Sequence, residues 1–129
     1  MIEEKNPIIF DDLKNIILQP LPWSMLKNKV VLVTGGGGFL PSYIIKSLLS
    51  ANIYYQLNLK VICIARAKSS VEIRLNSAMQ SKDFLLVCHD VTNPLPKDLP
   101  RADFVIHSAS QARPKFYNID PTCCEVLLN

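Results

Sequence analysis

Apolar residues along this chain fall into short continuous runs, separated by stretches in which they recur at helical spacing. The runs at 29–34, 59–65, 84–88 and 103–107 are rich in valine, isoleucine and leucine and read as four strands. Their near-continuous hydrophobicity suits strands whose two faces are both covered by helices. Between the first two runs, residues 39–50 place Leu40, Ile44, Leu48 and Leu49 near helical spacing. Residues 69–79 do the same with Val71, Leu75 and Met79. Upstream, the pattern predicts a short helix over 11–18, capped by Asp11 or Asp12, with Leu13, Ile16 and Ile17 on one face and stopped by Pro20 and Pro22. In the linker that follows, Trp23 and Met25 read as packing against the sheet margin, with ligand contact as the alternative.

Strand alternating with helix or loop argues for a parallel sheet with right-handed crossovers, an α/β fold of the Rossmann type with helices on both faces. The expected organisation is a helical extension and linker over 1–28 and a dinucleotide-binding domain over 29–129. A complete fold of this kind has about six strands, and four are read. Residues 121–129 look like the start of a helix, so the expectation is an N-terminal portion, incomplete at its C-terminus.

The glycine distribution sharpens this picture. All four glycines of the chain, Gly35 to Gly38, sit together where the first strand gives way to a helix pattern. A chain that turns sharply there and admits a pyrophosphate to its backbone needs residues without a Cβ. The anion would rest on free N–H groups at the helix N-terminus. Taken alone, the cluster has a plainer reading as a flexible turn. No Gly-Lys-Ser/Thr ending follows it, which disfavours a nucleoside triphosphate loop.

Composition excludes several other classes. The 129 residues are 49% hydrophobic, enough for one core. The formal charge of +3 is dispersed, with no basic block or basic-aromatic stripe to meet nucleic acid. Cys63, Cys88, Cys123 and Cys124 match neither metal-ligand spacing nor a secreted disulfide framework and read as reduced thiols. The first residues lack a signal peptide's pattern, and no apolar run reaches the ~20 residues of a membrane span. A cytoplasmic protein is expected, with no metal.

Three separated motifs, Thr34-Gly35-Gly36-Gly37-Gly38-Phe39-Leu40, His89-Asp90-Val91 and Asp103 through Ser110, resemble in order and spacing the extended short-chain dehydrogenase/reductase family. Residues 109–114 with Tyr117 and Pro121 look most similar to UDP-glucuronate decarboxylases and their nucleotide-sugar dehydratase and epimerase relatives. The resemblance implies an NAD or NADP cofactor. Gly35, Gly38, Phe39 and Leu40 would hold its pyrophosphate, Asp90 and Val91 its adenine, and Ala109 and Ser110 would lie beside the nicotinamide ribose. The alternative for Asp90 is a turn residue. His107 reads as a strand-end histidine without a proton-transfer role.

Two positions depart from the family pattern. Pro41 stands at the third glycine position, which a first helical turn tolerates. Ala65-Arg66-Ala67 stands where many relatives carry an aspartate for the ribose hydroxyls. Arg66 could grip a 2′-phosphate, which tilts the cofactor towards NADP, or it is a solvated arginine. The family's Tyr-x-x-x-Lys pair, in which a lysine lowers the tyrosine pKa so that it acts as base, is absent from these residues, so no catalytic residue is assigned. The preferred reading is the cofactor-binding portion of a nucleotide-sugar-modifying enzyme. That enzyme would oxidise C4 and then dehydrate, decarboxylate or epimerise, and its full-length form is a candidate homodimer. A non-catalytic dinucleotide-sensing or scaffold protein is the alternative.

Overall fold

The computed structural model describes residues 2–109. In chain order the elements are α1 (Pro7–Ile17), β1 (Val30–Thr34), α2 (Phe39–Tyr55), β2 (Lys60–Ala65), α3 (Lys68–Leu75), β3 (Phe84–Cys88) and β4 (Phe104–His107), with short 3₁₀ turns at Trp23–Leu26 and Ala78–Gln80. The four strands form one sheet in the order β3-β2-β1-β4, every pair parallel. Each connection is a crossover, and β1 and β2 occupy the centre. This is the Rossmann-type arrangement the sequence predicts. Ser110, the helix predicted at 121–129 and Cys123 and Cys124 lie outside the described residues.

Alternate strand residues face two unequal layers. Val31, Val33, Val61 and Cys63 point into a large core shared with Leu13 and Ile17 of α1, Ile45 and Leu49 of α2, and Val71 and Leu75 of α3. Leu32, Ile62 and Ile64 point the other way, under Val91, Leu99 and Ala102 of the β3–β4 connection.

Three local readings are corrected. The first helix starts at Pro7, not near Asp11. Asn6 caps it, its Oδ1 accepting from the amides of Ile8 (3.0 Å) and Ile9 (3.4 Å). Pro7 costs nothing at the first position, where its missing N–H would have had no helical acceptor. The second correction concerns α2, which runs to Tyr55 and ends at Gln56 in the left-handed region. It is buried on more than the sheet side, because α1 and the segment before it lie across its outer face. Lys46 is buried there in an ion pair with Glu4 (2.7 Å). Tyr43 donates to Asp12 (3.1 Å), and Tyr55 to the Ile17 carbonyl (2.6 Å). Third, Trp23 packs at the end of α2, stacked on Tyr55 with ring centroids 6.0 Å apart, rather than at the sheet margin. Met25 is 66% exposed and packs on nothing substantial.

Candidate functional site

The C-terminal ends of β1, β2 and β4 meet around the glycine loop, and each glycine answers to a different neighbour. Gly35 has φ +72°, a conformation L side chains rarely adopt. A Cβ there would lie 2.9 Å from backbone atoms of Ser108 and Ala109. At Gly36 a Cβ would fall 2.1 Å from Cys63 Sγ, and at Gly37 2.7 Å from Ser70 Oγ. Gly38 differs. Its φ of −75° suits any residue, and its Cβ would meet only Gly35 O at 3.3 Å and the Pro41 ring at 3.4 Å, contacts that a few tenths of an ångström would relieve.

Hydrogen bonds fix the loop from within and from two sides. The Gly35 amide donates to Ile64 O (2.8 Å) and the Gly38 amide to Gly35 O (3.0 Å). Arg74, in the last turn of α3, donates from Nη1 to Gly37 O (2.8 Å). Side chains on a helix lean towards its N-terminus, which lets Arg74 reach back over Ser70 to the loop. Beneath the loop, Cys63 is fully buried, and burial pushes its thiol up to about 11, so it stays protonated and packs as a small apolar group.

Past Gly38 the loop opens. The amides of Phe39 and Leu40 begin a 17-residue helix and have no carbonyl within it to bond. Pro41, in the same turn, is buried and offers no N–H, so two free first-turn donors remain before the Ser42 amide closes on Gly38 O (3.2 Å). The side chains of Phe39 and Leu40 are 66% and 64% exposed. This end is a cradle of backbone donors at the positive end of a helix dipole, suited to an anion.

The strand ends beside it supply the other predicted residues. Thr34 Oγ1 accepts from the amides of Ser108 (3.0 Å) and Ala109 (3.1 Å) and lies 2.8 Å from His107 Nδ1. Ala109 is thereby brought against Gly35. Asp90 is exposed after β3. Its Oδ1 accepts from the amide (2.9 Å) and hydroxyl (2.7 Å) of Thr92, the turn geometry foreseen as the alternative. Those bonds, the amide first, hold its carboxyl below the ordinary value, with a further contribution from Arg66 and His89. Val91 is half-buried against the smaller core layer. Arg66 is exposed at the end of β2.

Sequence reasoning missed Arg74, Cys63 and the partnership of Thr34 with His107. Thr34 and His107 carried a signal, since both end strands that become neighbours in register. Arg74 carried none beyond being a basic residue in a helix's last turn.

A parallel sheet whose central strand runs through a glycine turn into a helix N-terminus defines a Rossmann-type α/β fold. The chain belongs to the 3-beta hydroxysteroid dehydrogenase/isomerase family, which it matches over residues 32–129, and the resemblance to extended short-chain dehydrogenases/reductases is thereby shown. No match is found among the curated proteins. Among solved structures, the chain is similar to UDP-glucuronic acid 4-epimerase from Bacillus cereus, in complex with UDP-glucuronic acid and NAD. Identity is 22% and the TM-score 0.53, over 68% of this chain and 28% of that enzyme. The chain thus spans little more than a quarter of the epimerase's length. Weaker likenesses are to a candidate RNA methyltransferase from Pyrococcus horikoshii (20% identity, TM-score 0.47, covering 95% and 62%) and to a candidate protein-L-isoaspartate O-methyltransferase from Plasmodium falciparum (17%, 0.48, 88% and 56%). Neither of these two bears on what this chain does. Among the described residues, no helix is long and apolar enough to cross a membrane.

Proposed function

We propose that this chain binds a nicotinamide dinucleotide at the glycine loop, as the cofactor-binding part of an enzyme that modifies a nucleotide sugar. One observation carries the reading. A Cβ would clash outright at 35, 36 and 37 (2.9, 2.1 and 2.7 Å) but meet only tight contacts at 38 (3.3 Å), and Gly38 stands at the mouth of the cradle formed by the Phe39 and Leu40 amides. A ligand over that cradle explains the fourth glycine. The pyrophosphate would rest on Gly38, Phe39 and Leu40, the adenine near Asp90 and Val91, and the nicotinamide ribose near Ala109 and Ser110. When bound, the dinucleotide supplies hydride transfer; these residues bind and orient it. The 129 residues contain no Tyr-x-x-x-Lys, so binding without turnover is expected of the chain itself.

The solved epimerase, with its UDP-glucuronic acid and NAD, supports the nucleotide-sugar class. The family's description favours a second class, hydroxysteroids. Calorimetry with NAD, NADP and each substrate class on the 129-residue chain tests the reading, and no binding of either dinucleotide at millimolar concentration overturns it. Arg66 should favour NADP, and Arg66→Ala should then reduce that preference by about tenfold or more. Because the Asp90 carboxylate shares Arg66's field, equal affinities for the two cofactors would mark Arg66 as a solvated side chain.

A further inference from the structure

Thr34 Oγ1, 4% exposed by residue, has three polar neighbours within 3.1 Å: the amides of Ser108 and Ala109 and the ring nitrogen His107 Nδ1. A hydroxyl oxygen has two acceptor lone pairs and one hydrogen to donate. Both amides can only donate, so they occupy the two lone pairs. The one hydrogen must then go to Nδ1, which has to be unprotonated to accept it. A proton on Nδ1 would direct a third donor at an oxygen with no lone pair left, and the buried hydroxyl hydrogen would lose its acceptor.

We infer that His107, as the neutral Nε2–H tautomer, is a positioning residue for the dinucleotide cleft: it takes the Thr34 hydroxyl hydrogen and so aims that oxygen's lone pairs at Ser108 and Ala109. The consequence reaches the glycine loop because the same two residues lie against Gly35, within 2.9 Å of where a Cβ would stand. His107 thus sets how closely the end of β4 approaches the loop. Register makes the arrangement possible, since Thr34 and His107 are partners across the parallel β1–β4 pair. The ring is otherwise exposed, which leaves Nε2–H free for water. As far as it concerns cofactor binding, this inference rests on the function proposed above.

The test has two arms, both on the 129-residue chain. Long-range ¹H–¹⁵N correlation spectra, recorded at about pH 8, above the ordinary histidine range, identify the tautomer of His107, with His89→Gln assigning the two histidines. Expected is a ring protonated at Nε2 only; a ring protonated at Nδ1 overturns the inference. In the second arm, NADH affinity is compared for His107→Asn, whose Oδ1 can accept where Nδ1 does, and His107→Leu, which cannot accept. Expected is a loss of about tenfold for leucine and under about threefold for asparagine. Equal losses in the two variants would reduce His107 to a packing role. If the unaltered chain binds no dinucleotide, the proposed function fails, and the tautomer still decides the inference.

Discussion

The glycine loop has two halves built on different terms. From Gly35 to Gly37 every position is claimed by the protein: the backbone of Ser108 and Ala109, just past β4, on the first, the Cys63 sulfur under the second, Ser70 and the Arg74 guanidinium on the third. From Gly38 to Leu40 the chain presents an ordinary φ, two free amides and two exposed side chains to the outside. Four identical residues in a row therefore meet two requirements. The first three let the fold close, and on the function proposed above the fourth would leave room for the dinucleotide.

Substitutions should separate these halves, in falling order of effect on folding. Gly35→Ala combines a left-handed φ with a clash against backbone that cannot rotate away, and is expected to cost about 2–5 kcal/mol by urea denaturation. A cost below about 1 kcal/mol would mean that β4 gives way, and the first half is not closed as described. Gly36→Ala forces a methyl onto Cys63 Sγ, costing about 1–3 kcal/mol. Here the obstacle is a side chain, so the penalty should largely vanish in a Cys63→Ala background, measured as a double-mutant cycle. Additivity of the two changes would place the strain elsewhere.

Gly38→Val should leave stability within about 1 kcal/mol, with valine a poorer N-cap than glycine, yet abolish dinucleotide binding in calorimetry. If folding and binding fall together, the halves are not distinct. The smallest effect concerns the turn after β3. Asp90's carboxyl is held below its ordinary value, so its bonds from Thr92 contribute stability above the unfolded carboxylate pKa, and that contribution is lost as pH falls through the lower folded value. Asp90→Asn should flatten that part of the acid limb in thermal melts, and an unchanged limb would show that the turn contributes nothing measurable.

Much of this was legible in the sequence because β1 and β2, buried on both faces, leave continuous apolar runs, whereas β3 and β4 carry the same pattern with Leu85, Phe104 and Val105 exposed, and because all four glycines of the chain sit in one cluster. The start of α1 was legible in principle, as Asn6 followed by Pro7 is a cap and a first-turn proline; the acidic pair after it drew attention downstream. The outer face of α2 was not legible. Lys46, Ser47 and Asn52 look like residues for water, but Lys46 meets Glu4, Ser47 returns its hydroxyl to the Tyr43 carbonyl (2.7 Å), and Asn52 bonds both Asp83 (3.0 Å) and the Leu59 amide (2.8 Å). The Lys46–Glu4 and Asn52–Asp83 partnerships join residues far apart in sequence and leave no periodic trace. The same is true of Arg74 on Gly37, while Asp90 shows that a motif position and a local turn can be one and the same residue.

The ion pair of Glu4 with Lys46 has a practical side. Ile2 is buried and Glu4 is engaged on α2, so an affinity handle joined ahead of residue 2 departs from an occupied groove, not from a loose end. Such a handle would compete with the segment that shields the outer side of α2. For expression and assay of these residues, a tag placed ahead of residue 2 is a choice about how α2 is covered.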